Sequence, residues 1–132
     1  AKNGGITRGA MLKFVKFAEL PVADQDRAVR FYTEQVGLRV AQDSPYKDGW
    51  RWIELEGPGA ETRIMLIPQQ GAVQVDTPRL VFIADDVDAA YQELTGKGVV
   101  FTKEPADAPW NPGQRFAQFR DSEGNGIVIS SA

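Results

Sequence analysis

Hydrophobic positions along this chain switch between a period of two and a period of three to four, and the switch occurs twice. Leu12 to Leu20 is an apolar run interrupted by Lys13, Lys16 and Glu19, which predicts a strand. Pro21 follows it, and proline is better tolerated at a strand end than at a strand centre. Ala28, Phe31 or Tyr32, and Gln35-Val36 then recur at helical spacing behind Asp24, a good N-cap because its carboxylate accepts from free first-turn N–H groups. Gly37 is the expected C′ stop. Leu38 to Gln42, Trp50 to Leu55 and Arg63 to Ile67 read as three more strands, with Gly57-Pro58-Gly59 as a turn and Pro68 as the end.

The second half follows the same plan. Arg79 to Ala84 is a strand, and Asp86 caps a helix through Ala90, Tyr91 and Leu94 that Gly96 and Gly98 end. Val99 to Thr102 is a strand, Glu104 to Pro112 a loop, and Arg115 to Arg120 and Ile127 to Ser130 are strands joined by the tight turn Asp121 to Gly126. Asp24, Asp26 and Ala28 meet Asp86, Asp88 and Ala90 at a shift of 62 residues, and the segment Gly49 to Leu55 meets Gly113 to Phe119 at 64. Such self-similarity decides the architecture. Two βαβββ modules are expected, residues 11–68 and 78–132, joined by a polar linker over 69–77. Each is too small to bury a good core alone, so 11–132 should fold as a single domain. The fold class is α+β, with both modules forming a cupped mixed sheet around a central cavity. Residues 1–10, Gly-containing and without an apolar run, read as a flexible lead or a cloning remnant and not as a signal peptide.

Composition narrows the chemistry. The 132 residues carry a net charge of −3 and no concentrated basic patch, which argues against nucleic acid as a partner. No apolar run approaches the roughly 20 residues that span a bilayer, so no membrane partner is expected. There is no cysteine, which removes disulfides and thiolate chemistry and fits a cytoplasmic location. There is also no histidine, so the usual general base and the commonest metal ligand are both missing.

Alternation assigns faces. Phe14, Ala18 and Leu20 are expected to face the helix of their module. Phe17 and Glu19 would point the other way, into the enclosed space, together with Trp52, Glu54, Met65, Arg79, Val81, Phe116, Gln118 and Val128. Glu19 and Glu54 are the candidate catalytic residues, as an acid–base pair with pKa values separated by burial. Alternatively they attract a cationic ligand beside the Trp52 and Phe116 ring faces, or they sit solvated at the mouth, or pair with Arg63 or Arg79. Trp50, Trp52, Trp110, Tyr46 and Phe116 suit an aromatic-lined pocket, and equally suit core packing or a dimer interface. Arg79 can hold a carboxylate or phosphate bidentately, or close an internal salt bridge with Glu19 or Glu54. Ser122 to Asn125 leads into a strand, so it reads as a turn and not as a phosphate cradle, which would open a helix.

The segment PVADQDRAVRFYTEQVGLRV, with its Arg-Ala-x-x-Phe-Tyr helix and Val-Gly-Leu exit, resembles the first module of the vicinal oxygen chelate superfamily. That group includes glyoxalase I, extradiol dioxygenases, and bleomycin- and fosfomycin-resistance proteins. ADDVDAAYQELTGKGVVF followed by FAQFRDSEGNGIVIS is similar to its second module, and the likeness runs from Leu12 to Ser131. The resemblance implies a homodimer. It also implies a divalent metal held by His and Glu side chains on four strands, acting as a Lewis acid. The matching positions here are Phe17, Met65, Arg79 and Val128, none of which suits such an ion, and a one-residue slip offers nothing better. The expectation is therefore no metal and no other cofactor. The leading reading is a small-molecule binding protein of the drug-sequestering kind, taking a planar or cationic compound. Its competitors are an enzyme of the same superfamily (lyase, isomerase or dioxygenase) using Glu19 or Glu54 as base or a relocated carboxylate metal site, and a module whose cavity is filled by Phe17, Trp52, Met65 and Phe116.

Overall fold

The computed structural model describes residues 11–69 and 77–132. The expectations for residues 1–10 and for most of the linker lie outside the described residues. The chain runs β1 (Phe17–Val22), α1 (Gln25–Arg30), a π-helical turn (Phe31–Val36), β2 (Arg39–Lys47), β3 (Trp50–Glu56) and β4 (Arg63–Pro68). It continues with β5 (Pro78–Ile83), α2 (Val87–Gly96), β6 (Val100–Asp107), β7 (Arg115–Arg120) and β8 (Gly126–Ser130). The α+β class is as expected, and the two sheets have equivalent orders, β1-β4-β3-β2 and β5-β8-β7-β6. In each, the first and last strands of the module pair in parallel.

The helix caps are as the sequence suggests. Asp24 accepts from Arg27 N, Asp86 accepts from Ala89 N, and Gly37 sits at φ +95°, where a β-carbon would be strained.

Three strand boundaries differ from expectation, for physical reasons. The first strand begins at Phe17, not Leu12, because its partner β4 begins at Arg63, in register with Phe17. Phe14 therefore lies ahead of the strand and is exposed rather than facing the helix. β2 and β6 run past Gln42 and Thr102 to include Pro45 and Pro105. Both strands are sheet edges, where a missing N–H costs no ladder bond, and both show register shifts.

The helix-covered sides of the two sheets share one hydrophobic cluster, with Leu20, Ile53 and Leu66 from one module and Val87, Phe119 and Ile127 from the other. Phe31 meets Phe119 across the seam, with ring centroids 6.2 Å apart. Beside them the buried Tyr32 hydroxyl donates to Asp121 Oδ2 at 2.6 Å, and Asn125 Nδ2 donates to Pro21 O at 2.8 Å and Asp121 Oδ2 at 3.0 Å. Burial, then the Asp121 charge and hydrogen bond, hold the Tyr32 pKa well above its ordinary value.

Glu123 is buried in the seam beneath the half-exposed Arg27. Its carboxylate accepts from Arg27 Nε at 2.8 Å, from Ser122 Oγ, and from the backbone N–H groups of Ala23 and Asp24. Burial alone would raise its pKa, but these donors outweigh burial and pull it down to about 2. Because the helix-covered sides meet, the opposite, open faces lie on the outside of the chain. No ring contact or hydrogen bond among the described residues links one open face to the other.

Candidate functional site

The open face of the first sheet is built around one row. Glu19 on β1, Met65 on β4 and Glu54 on β3 are in direct register, so the two carboxylates flank Met65 on strands roughly 10 Å apart. Two residues before Glu54 on the same strand face, Trp52 donates its indole N–H to Glu54 Oε2 at 2.6 Å. Arg63 donates to Oε1 at 2.8 Å, and its Nε lies 3.4 Å from Glu56. Glu54 is only 4% exposed. Burial pushes its carboxyl pKa up, but the Trp52 and Arg63 hydrogen bonds and the Arg63 and Lys16 charges outweigh burial and leave it below the usual value.

This pairing positions Trp52. Its indole is fixed from one side by Glu54, and it meets the edges of Phe17 at 6.0 Å and Tyr46 at 5.5 Å. Tyr46 is 55% exposed, so the cluster presents ring surface to solvent. Glu19 is exposed and forms no ion pair among the described residues.

The second open face repeats the row with uncharged residues. Val81 on β5, Val128 on β8 and Gln118 on β7 stand where Glu19, Met65 and Glu54 stand in the first module. Trp110 packs against Phe116 at 5.0 Å, and Lys103 lies over the Phe116 ring at 5.4 Å. Val81, Trp110, Phe116, Gln118 and Val128 line a hollow of about 320 Å³ together with Pro78, Gln114 and Ser130.

The sequence-derived site residues thus divide into two groups. Phe17, Glu19, Trp52, Glu54 and Met65 share the first open face, and Val81, Phe116, Gln118 and Val128 share the second. The rings do not fill a common cavity, since Phe116 contacts Trp110 and not Trp52. Arg79 departs from its expected place: it falls in a register shift of the β5–β8 ladder, and Pro78, not Arg79, lines the hollow. It does not close the salt bridge to Glu54, which Arg63 makes instead. Trp50 packs against the shared core. Of the alternatives the sequence leaves open for Glu54, the pairing with Arg63 is the one formed; the sequence does not point to Glu123 with Arg27, 96 residues away. Nothing local signals a contact of that separation.

The divalent-metal arrangement of the resembled family does not fit these residues. The corresponding positions hold Phe17, Met65 and Val128, with a guanidinium or Pro78 at the third. Among the described residues no three His, Cys, Asp or Glu side chains gather as a ligand set. Glu54 already spends both oxygens on Trp52 and Arg63.

Residues 14–129 match the family model of the Glyoxalase/Bleomycin resistance protein/Dioxygenase superfamily. The uncharacterized protein YetH of Bacillus subtilis (strain 168) is 34% identical over 122 residues, covering 90% of this chain and 98% of YetH. A superfamily member from Sphaerobacter thermophilus is similar in structure, with a TM-score of 0.80 and 30% identity over 93% of this chain and 100% of that one. TnmS3, an antibiotic binding protein from Streptomyces sp. CB03234, has a TM-score of 0.75 and 31% identity, covering 92% of this chain and 98% of its own.

Proposed function

Since the chain belongs to the glyoxalase/bleomycin resistance/dioxygenase superfamily, we propose that it binds and sequesters a planar, aromatic small molecule, one whose positive charge meets Glu19. The observation that carries this reading is Trp52, held by Glu54 and half-buried between Phe17 and Tyr46. A pre-fixed indole loses little entropy when a ring stacks on it. The unpaired carboxylate nearby favours a cation over an anion. The antibiotic-binding activity of TnmS3 supports the same class of function. Glu54 with a lowered pKa is a weak base, which argues against the acid–base alternative.

One open face makes only half a chamber. In this reading two copies pair, and the acidic aromatic face of one chain closes over the apolar face of its partner, so that Trp52 and Phe116 come from different chains. The exposure of Val81 (59%) and Trp110 (65%) on the second face supports this pairing.

Titration calorimetry with proflavine, a planar aromatic cation, tests the reading. Saturable binding that weakens roughly tenfold in Trp52→Ala is expected. Absence of binding, or equal binding by the folded variant, would overturn it.

A further inference from the structure

The two modules meet at a seam with approximate internal symmetry, and the two halves of that seam are filled differently. On one side Tyr32, Pro21 and the turn Asp121 to Gly126 enclose the buried hydrogen-bonded network. The 62-residue shift puts Leu94 where Tyr32 stands and Ile83 where Pro21 stands, and the 64-residue shift puts the turn from Gly57 where the turn from Asp121 stands. These counterparts do not form a network. Leu94, Ile83, Gly57, Pro58, Ala60 and Thr62 instead line a cavity of about 500 Å³. The leucine is shorter than the tyrosine and has no hydroxyl, and the turn offers no carboxylate to receive one.

Further walls come from the helix-covered sides of both sheets, Ala18 and Ile64 from one, Leu80 and Phe119 from the other, and from Val81 on the opposite side of β5. Among the described residues no ionisable side chain lines the cavity, and Thr62 contributes the only side-chain hydroxyl. Its rim is open, with Val81, Ile83, Pro58 and Ala60 exposed, so apolar wall surface meets solvent there. The volume falls within the range of small-molecule sites, which are mostly apolar.

We propose that this cavity is a second ligand site, distinct from the Trp52 face, and that it takes an uncharged apolar molecule with the dimensions of a fused-ring hydrocarbon or a medium-length acyl chain. Its walls offer an ion no opposite charge, whereas an apolar molecule gains from covering them. Trp52 lines no part of it, while Val81 is shared with the hollow beside Phe116.

The test is a fluorescence titration of the full chain with the neutral probe N-phenyl-1-naphthylamine. Saturable binding of one probe per chain is expected. Leu94→Phe and Ala60→Leu narrow the cavity from two different walls and should each weaken binding roughly tenfold. Ala60 is exposed, so its variant is expected to fold even if Leu94→Phe does not. Trp52→Ala, which alters only the open face, should leave the probe affinity unchanged. No saturable binding by the wild type would overturn the proposal, as would undiminished affinity in folded Ala60→Leu. Loss of binding in Trp52→Ala would also overturn it, by moving the probe to the open face.

Discussion

The indole N–H of Trp52 donates to Glu54 Oε2 at 2.6 Å, while Arg63 occupies the other oxygen of the same carboxylate at 2.8 Å. Glu54 is thereby a support for an aromatic surface more than a reactive group. Glu54→Gln keeps an acceptor for Trp52 but removes the charge that Arg63 answers. Proflavine affinity should fall several-fold, about 3- to 10-fold, without loss of the fold. Calorimetric titration of the variant checks this, and unchanged affinity would remove Glu54 from the site.

Arg63→Ala takes away one hydrogen bond and the nearest positive charge from the same carboxylate. Burial then gains the upper hand, and the Glu54 pKa should move upward from its present lowered position. The side-chain carboxyl carbon of Glu54, followed by NMR across an acid titration, reports the shift directly. A midpoint that stays below the ordinary carboxylate value would mean that Arg63 is not what holds it down.

The seam between modules should be acid-sensitive through Glu123. Its folded pKa of about 2 lies below the ordinary 4.5, so its contribution to stability is present above pH 4.5 and is lost as pH falls toward 2. The melting temperature should drop across that window, and Glu123→Gln should flatten the drop while lowering stability at neutral pH. Differential scanning calorimetry from pH 2 to pH 7 distinguishes the two curves.

Within the seam, Tyr32→Phe removes a hydroxyl from a fully buried position and leaves Asp121 Oδ2 with Asn125 alone. A loss of about 1–2 kcal/mol in urea unfolding is expected. Asn125→Asp should cost more than about 2 kcal/mol, since it deletes the bond to Pro21 O and buries a second carboxylate against Asp121. Equal stabilities for the two variants would contradict the network as described.

Much of this was legible in the chain. The doubled helix starts at Asp24 and Asp86 mark the two modules, and strand parity puts Trp52 with Glu54, and Phe116 with Val128, on the faces away from the helices, though parity alone expects both sets to line one enclosed space and here they lie on separate faces. Where parity met a proline or a ladder irregularity it lost its hold, as at Pro45, Pro105 and Arg79. The turn at Asp48-Gly49 was passed over although both residues take positive φ, a strong hairpin signal. Contacts across the seam, such as Arg27 with Glu123, depend on how the modules dock and leave no periodic trace in the sequence.

The central claim is that Trp52 of one copy and Phe116 of another line one binding chamber, and a mixing experiment tests it most directly. Trp52→Ala and Phe116→Ala chains are each titrated with proflavine, then unfolded, mixed and refolded together. Each variant alone should bind weakly, whereas mixed pairs should regain one intact chamber, with Trp52 from the Phe116→Ala chain and Phe116 from the Trp52→Ala chain. Tight binding restored in the mixture is the predicted result. A mixture that binds no better than its components, although dimers form, would contradict a chamber shared between chains.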